Sequence, residues 1–194
     1  MKEISKKRIA AYIFDFVLLI TVSSLLLGLI PRSDEYKRNI KEQEKLLTES
    51  LDSKFDDDNK ALKEYSTLRY KTEKETIHIT LLSCVFSIAY FGTFAFFNNG
   101  ETLGKKLMKI KVESDGDNSH FWFILRAFIL NGSLTSIFLV LSLFLVKPEE
   151  YFNVTISICL LHSIFIIAST ITMFKREDGK GLHDLLCRTS VINE

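Results

Sequence analysis

Four apolar stretches, residues 9–30, 77–97, 121–146 and 151–174, constrain this chain more than any other feature. A helix needs about 20 apolar residues to cross a hydrocarbon core of about 30 Å. Each stretch meets that length, so the expected fold is an all-α membrane protein with four transmembrane helices. The overall apolar content of 47% would suit a soluble domain. That average hides a segregation, because residues 31–76 alone carry 11 Lys/Arg and 12 Asp/Glu. The net charge of +1 therefore says nothing about nucleic acid. No basic face interleaved with aromatics is present, and a nucleic-acid partner is not expected.

The Lys and Arg residues of the short flanks set the orientation. Lys2, Lys6, Lys7 and Arg8 precede the first stretch. Lys105, Lys106, Lys109 and Lys111 follow the second, and Lys175, Arg176, Lys180 and Arg188 follow the fourth. The turn at 147–150 holds only Lys147. Both termini are thus expected in the cytoplasm of a cell carrying this protein in its inner or plasma membrane. The predicted divisions are a flank with span one (1–30), an extracytoplasmic charged helical hairpin (31–76), span two (77–97) and a cytoplasmic Gly/Lys loop (98–120). Span three (121–146), an outer turn (147–150), span four (151–174) and a cytoplasmic tail (175–194) complete them. The basic start resembles a signal peptide, but its apolar run is long and ends Gly28-Leu29-Ile30-Pro31-Arg32 without a small-x-small site, so retention is expected.

Asp15 is the anomaly inside span one. A carboxylate there costs on the order of 2.5–3.5 kcal/mol and demands a partner, a proton or a wet cavity. Arg8 lies on nearly the same face, with Tyr12 between them. Arg126 enters span three at a depth matching Asp15, which predicts a buried Asp15–Arg126 pair, with Arg8 free to meet Asp184. The alternative is that Arg126 snorkels to the interface. Asn131 and His162 fall near the midplane and extend a polar path from Asp15. Their plainer roles are a kink at Asn131-Gly132-Ser133 and one interhelical hydrogen bond.

In the outer segment, Ile40, Leu47, Leu51 and Phe55 follow helical spacing, as do Leu62, Tyr65 and Leu68/Arg69. Asp56-Asp57-Asp58-Asn59 separates the two stripes. It lacks the Gly and terminal Glu of a calcium loop. This hairpin reads either as a partner-binding lid or as a solvated spacer. Gly100-Glu101-Thr102-Leu103-Gly104-Lys105-Lys106 resembles a phosphate loop, but Asn99 and Lys106 break that motif. Cys84, Cys159 and Cys187 have no zinc or redox spacing. With no nucleophile–base arrangement in the sequence, neither an enzyme, a cofactor nor a metal is expected.

Residues 108–112 and 189–192 alternate like short strands that can pair. Gly100-x-x-Leu103-Gly104-Lys105-x-Leu107 and Val112 align with Gly179-x-x-Leu182-His183-Asp184-x-Leu186 and Val191 at a constant offset. This suggests two parallel helical-hairpin repeats related by an axis along the membrane normal. Lys105 and Asp184, opposite in charge at equivalent places, would then face each other across it.

Arg8 and Asp15 in span one, the Gly100–Lys105 segment, the arginine opening span three, and Gly181-Leu182-His183-Asp184-Leu185-Leu186 before Thr-x-Val together resemble the RDD family of small prokaryotic integral membrane proteins. The resemblance covers nearly all the chain except 31–76. It implies that the arginine and two aspartates of the family name are Arg8, Asp15 and Asp184. This insertion is longer than the family's usual loop, and Cys187-Arg188 stands where small residues are usual. The resemblance also implies transport of a small cation or other small solute, with cation/proton exchange in some members. The alternative it implies is regulation or assembly of a partner membrane protein, here through residues 35–75. Expected partners are the bilayer, a second copy of the chain, a monovalent cation and a membrane-protein partner.

Overall fold

The structure, a computed structural model, describes residues 2–52, 58–115 and 118–193. Phe55 of the first apolar stripe and Asp56 and Asp57 of the predicted outer turn lie outside them. In chain order the elements begin with α1 (Lys2–Gly28), α2 (Asp34–Asp52), α3 (Asp58–Glu75) and α4 (Ile77–Ile88). A π-helical turn (Ala89–Phe94), α5 (Ala95–Phe97), α6 (Leu103–Leu107) and β1 (Ile110–Ser114) follow. Then come α7 (Ser119–Leu130), α8 (Ser133–Leu145), α9 (Tyr151–Lys175), α10 (Leu182–Leu186) and β2 (Thr189–Asn193).

Three helical stretches, Glu3–Gly28, Ile77–Phe97 and Tyr151–Lys175, are long and apolar enough to cross a membrane. Many of their apolar side chains stay outside the protein core: Ile13 is 57% exposed and Leu161 69%. In water such faces are a liability, whereas lipid solvates them and the helices satisfy their own backbone. The stretch 121–146 is not one helix. It breaks into α7 and α8, and counting that pair as one span gives four. Gly132 supplies the break with φ +75°, a left-handed backbone that a side chain resists.

The described residues form two compact units. The first comprises residues 1–28, 83–134 and 162–194. In it α1 packs on α6, the π-turn packs on α7, and α10 packs on α7. Gly92 permits the second contact, since a Cβ there would meet the Ile124 Cα at 3.2 Å. β1 and β2 pair antiparallel, with Val112 opposite Val191, over a small core of Ala95, Val112 and Phe123. The strand predicted from Met108 begins at Ile110, because Lys109 turns the chain with φ +53°.

Residues 100–114 and 179–193 run through the same conformations, 79 positions apart, as in Leu103 and Leu182. A positive-φ glycine (Gly100, Gly179) precedes a one-turn helix. A positive-φ residue (Lys109, Arg188) then leads into a strand. Val112 pairs with its own equivalent, Val191, so the two strands are related by a local two-fold at that pair.

The second unit comprises residues 29–82 and 135–161. α2 and α3 pack on each other, and the Gln43 amide donates to the Thr72 hydroxyl at 2.8 Å. Ser33 accepts the Tyr36 N–H at 2.9 Å, capping α2. α3 is fastened to the turn before α9. Ser66 donates to the Pro148 carbonyl and accepts the Phe152 N–H. Tyr70 donates to the Leu143 carbonyl, and Tyr151 to Glu73. The two apolar stripes are only partly inward: Leu68 is buried, but Leu47 and Leu62 face out. Polar pairs such as Gln43–Thr72 occupy the contact face instead, so apolar periodicity alone misassigns it.

Candidate functional site

The first unit gathers most of the predicted site residues around the two one-turn helices. Each of those helices begins with unsatisfied N–H groups that attract a carboxylate. In α10 the third residue, Asp184, supplies it: its Oδ2 accepts the Gly181 N–H at 2.9 Å. In α6 the equivalent residue is Lys105, which has no acceptor. Asp15 of α1 fills that place. Its Oδ1 accepts the Gly104 N–H at 2.7 Å, and its Oδ2 accepts the Thr102 hydroxyl. The Tyr90 hydroxyl, re-aimed by the π-turn, donates to the same Oδ1 at 2.7 Å.

Gly104 is required for this approach. A Cβ on it would lie 2.3 Å from the Ala11 carbonyl oxygen and 2.9 Å from the Asp15 Cγ. Gly100 has a different task. Its own Cβ would overlap the Val112 carbonyl at 1.9 Å, so it keeps the turn tight against β1. That is a packing role, with no phosphate cradle around it.

The predicted Asp15–Arg126 pair is not made. Arg126 donates from Nε to the Asp184 Oδ1 at 3.1 Å. Arg8 donates to the Asp184 Oδ2, and to the Gly179 carbonyl at 2.5 Å. Asp15 is satisfied by neutral donors at its own helix contact, while Asp184 lies between both guanidiniums. Thr189 also reaches Asp184, which is 0% exposed. Burial opposes its charge, yet Arg126, His183 and Arg8 outweigh that and hold the carboxyl well below the usual range. Lys105 and Asp184 do not face each other as an ion pair, because the two arginines occupy the carboxylate.

His183 completes the cluster. Its Nε2 lies 3.3 Å from a guanidinium nitrogen of Arg8 and of Arg126, and its Nδ1 lies 2.6 Å from the Ser169 hydroxyl. Burial lowers its pKa, so the ring is neutral near pH 7. Its Nε2 also lies 3.2 Å from the Asp184 Oδ1, so Nε2 faces an acceptor as well as two donors, and the tautomer sets which ring nitrogen donates. Leu182 sits at the first position of α10, half-buried.

A cavity of about 240 Å³ opens beside this cluster. Arg8, Tyr12, Asp15, Lys105, Arg126 and Asn131 line its polar side, and residues such as Phe91, Leu130 and Met173 its apolar side. Lys105 makes no hydrogen bond or ion pair with its side chain among the described residues. Burial, then Arg126, bring its pKa down to about 7. The Asn131 amide has both polar atoms buried without a partner. His162 is not in this wall; its Nε2 lies near Gly132, 3.9 Å from where a Cβ would be. The predicted polar path therefore reaches Asn131 from Asp15 but does not include His162.

Sequence reasoning missed Tyr90 and Ser169. Neither carries a signal, since a tyrosine and a serine within apolar helices are unremarkable until the partner helix is placed. No group of three or more His, Cys, Asp or Glu suited to a metal occurs among the described residues. Neither the curated proteins nor the solved structures include a match to this chain. The sequence profile of the RDD family does match, over residues 5–188. With apolar helices of membrane-crossing length and that match across nearly its whole length, the chain belongs to the RDD family and reads as an integral membrane protein.

Proposed function

We propose that this protein transports a small solute across the cell membrane, and that the cavity beside Arg8, Lys105 and Arg126 is its solute site. The cavity is the observation that carries the reading. At about 240 Å³ it holds on the order of eight water volumes, more than a bare ion requires. It has a charged end, an apolar flank and an unpartnered amide. Four spans with both termini cytoplasmic fit the basic flanks. Two parallel repeats fit the matched conformations about Val112 and Val191. The helix break at Asn131-Gly132 borders the cavity and is a natural hinge for exchanging access. A second copy of the chain would enlarge the enclosed path.

In this reading the residues of the family name are positioning groups. Arg8 ties span one to α10 through Asp184, and Asp15 ties it to α6. Cation/proton exchange at Asp15 would first require the carboxylate to shed Tyr90, Thr102 and Gly104. A catalytic role is not proposed. Ser169, His183 and Asp184 follow one another as in a nucleophile triad, but Asp184 is bonded by Arg8 and Arg126 as a structural counter-charge. The regulator reading, through residues 35–75, has one observation in its favour: Leu47 and Leu62 turn outward on that segment. Purified protein in liposomes should show uptake of small organic solutes above protein-free vesicles. No uptake of any solute, with a membrane protein co-purifying only while 35–75 is intact, would replace transport by regulation.

A further inference from the structure

We propose that the cavity takes an amphiphilic anion: a carboxylate or phosphate group held by Lys105 and Arg126, with an apolar body against Leu130 and Phe91. This deepens the transport reading by naming the solute class, and it rests on that reading only for the step across the membrane.

Charge accounting around the cavity carries the inference. Three cationic side chains, Arg8, Lys105 and Arg126, line it against one carboxylate, Asp15. That carboxylate already accepts three hydrogen bonds, from Tyr90, Thr102 and Gly104. Asp184, behind the wall, is claimed by both arginines and by the Gly181 N–H. A cation entering here would find carboxylate oxygens that are already bonded and three positive groups beside them. An anion would find an ammonium without a partner. Lys105 is half-buried, and an incoming carboxylate or phosphate gives its ammonium a charge-assisted hydrogen bond. The rest of the wall is apolar apart from Tyr12, Thr170, His183 and the Asn131 amide. Asn131 has both a donor and an acceptor to offer a polar group on the solute's body.

Lys105 also makes the site pH-dependent. It is faced by Arg8 and Asp15 from α1, Arg126 from α7, and His183 and Asp184 from α10. Its pKa of about 7 means that it is charged below neutrality and loses its proton above.

The test is equilibrium binding to the full chain in nanodiscs of phosphatidylcholine. The probes are benzoate, its neutral amide benzamide, and benzylammonium. Benzoate is expected to bind saturably and the other two at least about tenfold more weakly, the worth of one charge-assisted bond. Lys105→Met should lower benzoate affinity by a similar factor, with its melting temperature measured alongside to verify folding. Affinity should fall in the wild type as pH rises through about 7. In Lys105→Arg, which stays charged, that fall should be absent. Adding phosphatidic acid to the nanodiscs separates two sources of the anion. Competition with benzoate assigns the site to a lipid headgroup, and its absence assigns it to a free organic acid. Benzylammonium binding as tightly as benzoate, or unchanged affinity in a folded Lys105→Met variant, overturns the proposal. Benzoate binding without uptake in liposomes would keep this inference and end the transport reading. Cation-driven proton movement without benzoate binding would do the reverse.

Discussion

Replacing Asp184 by Asn tests what holds α1, α7 and α10 together. The substitution preserves shape and removes one charge. In the structure that carboxylate is 0% exposed and faces Arg8 and Arg126, whose side chains are 8% and 11% exposed. Without it two guanidiniums stay buried with no counter-charge, and the Gly181 N–H loses its charged acceptor. Breaking a buried pair on one side costs about 3–5 kcal/mol. For a chain of this length that is a fall of about 6–20 °C in melting temperature. The single tryptophan, Trp122, reports the event, since the Arg188 guanidinium lies 5.3 Å from its ring. Fluorescence-detected melting in nanodiscs would give the shift. Adding Arg126→Leu to Asp184→Asn should recover part of it, because one orphaned charge is then removed. A loss below about 1 kcal/mol, or a double variant worse than the single one, would refute the reasoning.

Further outcomes follow from the same geometry. Asp15→Asn should cost about 1–3 kcal/mol, since an amide cannot accept on both sides. Combined with Arg126→Leu it should be additive within about 0.5 kcal/mol in a thermal double-mutant cycle, because the two groups do not bond. Gly104→Ala should destabilise strongly or block folding, the new Cβ falling 2.3 Å from the Ala11 carbonyl. Gly28→Ala, with nothing within 4 Å, should be neutral or stabilise by about 0.5–1 kcal/mol in the same melting assay. Lys105 gives a pH dependence of stability. In the unfolded chain Lys105 keeps its proton up to the ordinary lysine value of about 10.5, whereas the folded protein releases it near 7. Between those values the unfolded state binds the extra proton, so stability should rise with pH. Melting temperatures taken from about pH 7 to about pH 9 should climb in the wild type more than in Lys105→Met.

Much of this arrangement is legible in the sequence, and the exceptions have physical causes. Apolar runs of bilayer length announce the spans, because lipid leaves few other ways to satisfy a backbone. The matched segments after spans two and four show in the spacing of Gly, Leu and Val. The convergence of Arg8 with Asp184 also follows from their depths at the membrane edge. The partner of Asp15 does not. Depth matching pointed to Arg126, but the α6 N–H groups and the Tyr90 hydroxyl are invisible as donors until α1 is laid against them. The helix break at Gly132 was readable as a kink and is a full interruption. On the outer hairpin, polar pairs such as Gln43–Thr72 replaced the apolar stripe that periodicity favoured.

Transport by this protein depends on the cavity as the solute site. Leu130 lines it with an apolar side chain that takes no part in the Arg8–Asp184–Arg126 hydrogen bonds, so Leu130→Trp fills the space without removing a member of that cluster. Solute uptake should be compared in liposomes holding equal amounts of wild-type and Leu130→Trp protein of similar melting temperature. The account predicts uptake in the wild type and its loss in the variant. Undiminished uptake with the cavity filled would contradict it.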